Sequence, residues 1–343
     1  MQSQCRATVT QVVDIDQDAQ EIRARDDAGA ERRALNYLAL CPALKTGDAV
    51  TLNTTATGLR LGTGGVDFVV ASHSADAAVL KPGPGHIVKA RYLPCQVAVE
   101  ALEERPEHAP VWQRGLERIP VLAAQLHSQV VPAAYGVRSQ RDARIAYIMT
   151  DAAALPLAFS NTIREAKRRG LIQATLTCGQ AFGGDYECVT LYSALLAARH
   201  IAGCDIAIVC QGPGNAGTGT RYGFSGIEQA GILDAAERLG GLPVAVARMS
   251  SGDPRERHQG ISHHTRTALA LTYARCIVAA PRGVDAAAAI PDRHEIRFCD
   301  GTPDTLDRMA VDGWNITTMG RGALADRLFF EAALAAGMIA AGL

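Results

Sequence analysis

The stretch CDIAIVCQGPGNAGTGTRYGFS, residues 204–225, decides how the rest of the chain is read. Residues 206–210 are an uninterrupted apolar run, the pattern of a buried strand. The run opens into a loop holding Gly212, Gly214, Gly217, Gly219 and Gly223, threaded with Thr218, Thr220 and Ser225. The segment that follows, GIEQAGILDAAERLG, has helical spacing. Strand, glycine loop and helix in that order present backbone N–H groups to an anion. Gly212, Gly214, Gly217, Thr218, Gly219 and Thr220 are therefore the expected anion-binding residues.

Outward from this stretch the pattern repeats. From about residue 118 the strand candidates IPVLAAQL, RIAYIMT, QATLTC, DIAIVC, LPVAVARM, CIVAAP, EIRFC and NITTM alternate with helical segments. Strands without clean polar alternation, separated by helices, imply a parallel sheet covered on both faces. The expected fold is α/β, a doubly wound and mostly parallel sheet over 118–343. A closed eight-stranded barrel is the alternative that the strand count admits. Pro156 places a helix start in LPLAFSNTIREAKRRG, and YECVTLYSALLAARHIAG reads as a helix ending at Gly203. Residues 1–72 carry short strand candidates separated by turns, RATVTQVVDI, QEIRAR, DAVTLNTT and VDFVVAS, and read as a small β-barrel-like domain. Residues 73–117, opening with Pro82, Gly83, Pro84 and Gly85, read as linker and connecting elements.

Polar residues follow nearly every strand candidate, where ligands bind in open parallel sheets. DPRERHQGISHHT, residues 253–265, is the richest such segment. Arg255 and Arg257 suit a phosphate or carboxylate, since a guanidinium bonds two oxygens at once. His258 and His263 are expected as acid/base groups, with Asp185 as a further catalytic or metal-binding carboxylate. Ser262 is a helix N-cap candidate, which sets His263 and His264 in the first turn, about 100° apart and hard to aim at one ion. Asp151, Asp185, His127 and His264 are the metal candidates. Consecutive strands are often neighbours, so residues 253–264 are expected beside the glycine loop. Asp185 and Glu187, in GQAFGGDYE, are read at a helix start, where capping alone would favour acids. NTTATGLRLGTGG, residues 53–65, and His86, Lys89 and Arg91 are secondary sources of contacts to a ligand.

The G-x-G-x-x-G at Gly212, Gly214 and Gly217 lacks the helix directly behind it and the acid near the end of the next strand, so a nicotinamide cofactor is not expected. No lysine follows the glycines as a P-loop requires. Nine cysteines without a C-x-x-C pair read as reduced thiols of a cytoplasmic protein. A formal charge of -1 without a Lys/Arg block argues against nucleic acid, and no apolar run is long enough for a membrane.

NTTATGLRLGTGG, GHIVKARYLPCQ, LHSQ, YIMTDAAALPLAFS, GQAFGGDYE, QGPGNAGTGTRYGFSGIEQ and DPRERHQGISHHTRTAL together resemble the bacterial domain-of-unknown-function family 3866. The resemblance runs from about residue 6 to the C-terminal helix and implies membership alone, with no reaction or ligand attached. From the residues, the expected function is a cytoplasmic enzyme acting on an anionic, phosphorylated or nucleotide-like small molecule by hydrolysis or group transfer. A divalent metal and a homo-oligomer are compatible with that reading. The rival is a non-catalytic sensor that binds a nucleotide or metabolite.

Overall fold

A computed structural model describes residues 3–61, 64–74 and 85–343. Pro82, Gly83 and Pro84 of the expected linker, and Gly62 and Thr63 of the first glycine–threonine loop, lie outside the described residues. The chain divides into two compact units, Met1–Glu100 and Ala101–Leu343.

The first unit is built on β1 (Gln4–Ile15), β2 (Ala19–Asp26), β3 (Glu31–Tyr37), β4 (Ala49–Asn53) and β5 (Asp67–Ser72), with a one-turn helix α1 (Thr55–Gly58) before β5. They close into a barrel in the order β1-β2-β3-β5-β4. Alternate residues turn inward as the strand period demands. Ala7, Val9, Ile22, Ala24, Ala34, Val50, Leu52 and Val69 fill the interior. The sequence reading passed over β3, whose ERRALNY looks too charged for a strand. Glu31 and Arg33 sit on the outer face, where Arg33 pairs with Glu21 of β2, while Arg32 lies on the inward face and meets the buried carboxylates of Asp26 and Asp67. A hairpin of β6 (Ile87–Lys89) and β7 (Val97–Val99) follows in the same unit.

The second unit carries β8 (Pro120–Ala123), α2 (Val130–Gln140), β9 (Ile145–Thr150), α3 (Asn161–Arg168), β10 (Ala174–Thr177), β11 (Tyr186–Glu187), α4 (Leu191–His200), β12 (Ile206–Gln211), α5 (Gln229–Arg238) and β13 (Leu242–Ala245). A two-residue hairpin of β14 (Met249–Ser250) and β15 (Gly260–Ile261) precedes α6 (His263–Leu271). Then come β16 (Ile277–Pro281), β17 (Glu295–Cys299), α7 (Thr302–Val311) and α8 (Arg327–Ala341). Eight strands form one open sheet, β11-β10-β9-β12-β8-β13-β16-β17, and every pairing in it is parallel. The closed eight-stranded barrel is thereby excluded.

Side-chain alternation makes both faces of that sheet apolar. Leu122, Tyr147, Ile208, Val244 and Ala279 face α2, α3, α7 and α8. Val121, Ile148, Val209, Ala245 and Val278 face α4, α5 and α6. Each fully buried aliphatic chain contributes roughly 1.5–3 kcal/mol, which is why these strands tolerate no polar face. Most of the cysteines are buried here as small apolar groups. No helix among the described residues is long and apolar enough to cross a membrane.

Three local expectations need correction. NITTM, residues 315–319, is not a strand; only Thr318 bridges, to Arg321. Pro156 lies ahead of α3, whose N-cap is Ser160, its hydroxyl accepting from the Ile163 N–H. Residues 186–187 form β11 instead of opening a helix, because α4 starts at Leu191 behind its own cap, Thr190.

Candidate functional site: imidazoles and guanidiniums at the carboxyl edge

The eight strands of the large sheet all point their carboxyl ends to one edge, and two clusters of polar groups lie along it. The first is assembled by β13, the β14–β15 hairpin and α6. Ser262 caps α6 by accepting the His264 N–H at 3.2 Å. That start places His263 and His264 with ring centroids 4.3 Å apart, and His258 lies 5.0 and 4.9 Å from the two of them. One nitrogen from each ring falls within 4.8 Å of the others. The 100° expectation thus fails: His258 approaches from the preceding turn and the first-turn rings fold toward it.

Phe224, the last residue of the glycine loop before Ser225, stacks on the His264 ring at 3.7 Å and 3°. Gly217 bridges to Phe224 through the backbone, and the Arg257 guanidinium sits 3.8 Å from where a Gly219 Cβ would stand. The loop and residues 253–264 therefore meet. The route differs from the expected one, because β8 lies between β12 and β13 and the long loop crosses over it.

The loop's backbone is largely turned on itself. Thr218 N–H donates to Gly223 O, Gly223 N–H to Thr220 Oγ1, Ala216 N–H to Ser225 Oγ and Ser225 N–H to Ala216 O. Gly212 is glycine because a Cβ would come 2.6 Å from the Ala153 carbonyl, so its close approach is to protein. Gly214 and Gly219 have φ of 101° and 79°, the left-handed conformation the turn needs. Converging amides are thus a lesser feature of this loop than its delivery of Phe224 and Gly219 to the cluster.

Guanidiniums surround the imidazoles. Arg248, Arg255 and Arg321 converge on the buried carboxylate of Asp253, at 3.4, 2.7 and 3.2 Å. Arg321 also bonds Asp326. The Arg255 hydrogen bond holds Asp253 well below the usual carboxylate range. Arg257 and Arg266 are exposed and reach no carboxylate among the described residues. Burial first, then the neighbouring arginines, press His258 and His264 down to about 3, and His263 is lowered by the same causes. All three rings are neutral at physiological pH. Arg248 Nη1 donates to His264 Nδ1 at 3.1 Å, and His258 Nδ1 meets Ser262 Oγ at 2.7 Å. His263 Nε2 is shut away from water with no hydrogen-bond partner.

The other expected residues lie elsewhere. Asp185 binds the Thr175 N–H at 2.8 Å and hydroxyl at 3.0 Å and pairs with Lys167. It stands beside β11, five strand positions from β13, or roughly 24 Å at the usual strand spacing. These bonds tie it to the sheet's edge, and the structure does not bring it to the histidines. His127 has both ring nitrogens engaged, with Tyr147 Oη at 3.1 Å and Ser160 Oγ at 2.6 Å, so no lone pair is left for a metal. Lys89 is buried in the first unit.

Asp151 belongs to the second cluster. It lines a cavity of about 350 Å³ with Thr150, Cys178, Gly179, Thr190 and Glu228, between the carboxyl ends of β9 and β10 and the start of α4 and α5. Glu228 accepts from Thr150 Oγ1 at 2.7 Å, and burial pushes its carboxyl up to about 7. Sequence reading missed Glu228, Arg248, Phe224 and Arg321. Arg248 alone left a trace, as the one charge inside the apolar run LPVAVARM.

The fold and these clusters define a two-unit α/β protein with a basic, histidine-bearing site at the edge of a parallel sheet. The chain belongs to the family described as protein of unknown function (DUF3866), which it matches over residues 33–337. No curated protein and no solved structure matches it.

Proposed function

We propose that this protein is a cytoplasmic enzyme that binds an anionic small molecule, phosphorylated or nucleotide-like, and acts on it by hydrolysis or group transfer. One observation carries the reading: the buried, unpartnered His263 Nε2 lies in a ring of guanidiniums, two of which have no carboxylate partner among the described residues. Such a field draws anions and rejects cations standing alone. Arg257 and Arg266 meet the ligand's oxygens, since both are exposed and reach no carboxylate among the described residues. His263, the least buried of the three rings, exchanges the proton. His258, only 1% exposed, acts through the others as a positioning residue. A bound anion raises the imidazole basicity that the arginines suppress, so the acid/base group becomes competent as substrate arrives.

The test is calorimetry and turnover on a panel of phosphate esters and nucleotides. His263→Asn should keep ligand affinity and lower kcat by about a hundredfold or more. Tight binding with no turnover anywhere on the panel would make the protein a binding module instead.

A further inference from the structure

We propose that the three imidazoles of His258, His263 and His264 take up one divalent transition-metal ion of the zinc class, and do so cooperatively with an anion. The inference rests on the anion-binding part of the reading above, adds a second ligand to that site, and makes His263 a ligand of the ion instead of the proton-exchanging group. The donor set is suited to such an ion, since neutral imidazole is a favoured ligand for zinc and its neighbours. One nitrogen from each ring already lies within 4.8 Å of the others. Zn–N bonds of ~2.0–2.1 Å in tetrahedral geometry set the nitrogens roughly 3.4 Å apart, a contraction that small ring rotations supply. His263 Nε2 is buried and has no partner on the protein. His258 can place its proton on Nδ1, toward Ser262 Oγ at 2.7 Å, which leaves Nε2 free to ligate. Three protein ligands leave a fourth position open.

The coupling follows from Arg248. Its Nη1 donates to His264 Nδ1, so the proton of that neutral ring is held on Nε2. The ring cannot ligate through Nε2 without moving its proton to Nδ1, against a guanidinium that has only donors. It cannot ligate through Nδ1 without displacing Arg248. In either case Arg248 must let go. An anion gives it a new acceptor, and Asp253 already lies 3.4 Å from its Nη2. The same anion offsets the repulsion between the ion and Arg248, Arg255, Arg257 and Arg266, the arginines that act on the His263 ring. Anion and cation each make room for the other, and such coupling is reciprocal.

The experiment titrates cobalt(II), a spectroscopic stand-in for zinc, into the full chain with and without sulfate, following its visible absorption, while calorimetry follows sulfate alone. The expected result is one ion per chain, bound about tenfold or more tightly with sulfate present. His263→Ala, at a partly exposed position, should abolish it with the circular dichroism spectrum unchanged. Cobalt binding that ignores sulfate, or that survives His263→Ala in the folded protein, overturns the proposal. Sulfate binding without any cobalt uptake also overturns it and leaves the anion reading intact. Failure to bind either one removes both.

Discussion

The two clusters on the carboxyl edge share one sheet and differ in charge. In the cavity beside β9 and β10, burial raises an acid, Glu228, to about 7. Around α6, burial lowers two bases, His258 and His264, to about 3. Desolvation is the leading cause in both and always works against the charged form. It therefore moves the carboxyl and the imidazoles toward their neutral forms by opposite shifts. The neighbouring charges separate the two sites: Asp151 adds negative charge near Glu228, where the Thr150 hydrogen bond works against the rise, while arginines add positive charge near the histidines. The first place is prepared to hold a proton, the second to receive negative charge.

The largest effect is expected from the one buried carboxylate on which three guanidiniums converge. Asp253→Asn should cost about 3–5 kcal/mol of folding stability, because it leaves buried Arg248 without its counter-charge. Urea denaturation measures this, and a loss under about 1 kcal/mol would mean that Arg248 does not depend on Asp253.

Next comes Glu228→Gln. A carboxyl whose folded pKa, about 7, exceeds its ordinary 4.5 contributes stability that is complete below pH 4.5 and lost as pH rises through 7. At pH 8 the buried carboxylate therefore costs on the order of 3 kcal/mol. The glutamine variant should melt higher than the parent at pH 8, with the difference closing by pH 5. Equal melting temperatures at both pH values would erase the contrast between the clusters.

Arg257→Ala should weaken anion binding about tenfold, the loss of one charge-assisted contact, with little change in melting temperature. Unaltered sulfate affinity by calorimetry would remove Arg257 from the site. The smallest effect is expected at the far edge: Asp185→Ala should leave ligand affinity and turnover unchanged while costing about 1–2 kcal/mol for its lost bonds to Thr175 and Lys167. A drop in kcat there would reopen its catalytic assignment.

What the sequence reveals of this molecule follows the range of the interactions. The parallel sheet was legible because both its faces are apolar, and runs such as IAIVC admit little else. β3 was not, because ERRALNY keeps Arg33 on the barrel's outside against Glu21 and offsets the inward Arg32 with Asp26 and Asp67. The Arg/His segment 253–264 was legible as chemistry. Its meeting with Phe224 was not readable from strand order, since β8 comes between β12 and β13 and only the length of the loop restores the contact. Glu228 looked like an ordinary acid near a helix start; its raised pKa comes from burial and from the charge of Asp151, a residue 77 positions earlier in the chain. Asp185 misled for the converse reason, as its partners Thr175 and Lys167 are local and structural.

The position of β8 also bears on how the chain is made. Pro120–Ala123 is the first strand of the sheet to be synthesised, yet it pairs only with β12 and β13. At about 5–20 residues per second, the roughly 80 residues to β12 take on the order of 4–16 s, and during that time both edges of an apolar strand go unpaired. β9 and β10, partners in the folded sheet, are both complete before β12 emerges, so pairing available in that interval lies away from β8. Closing the gap is a late, long-range step of the kind that slows folding and exposes edges to other chains. The exposure of the nascent sheet to mispairing is therefore tied to where one four-residue strand falls in the order of synthesis.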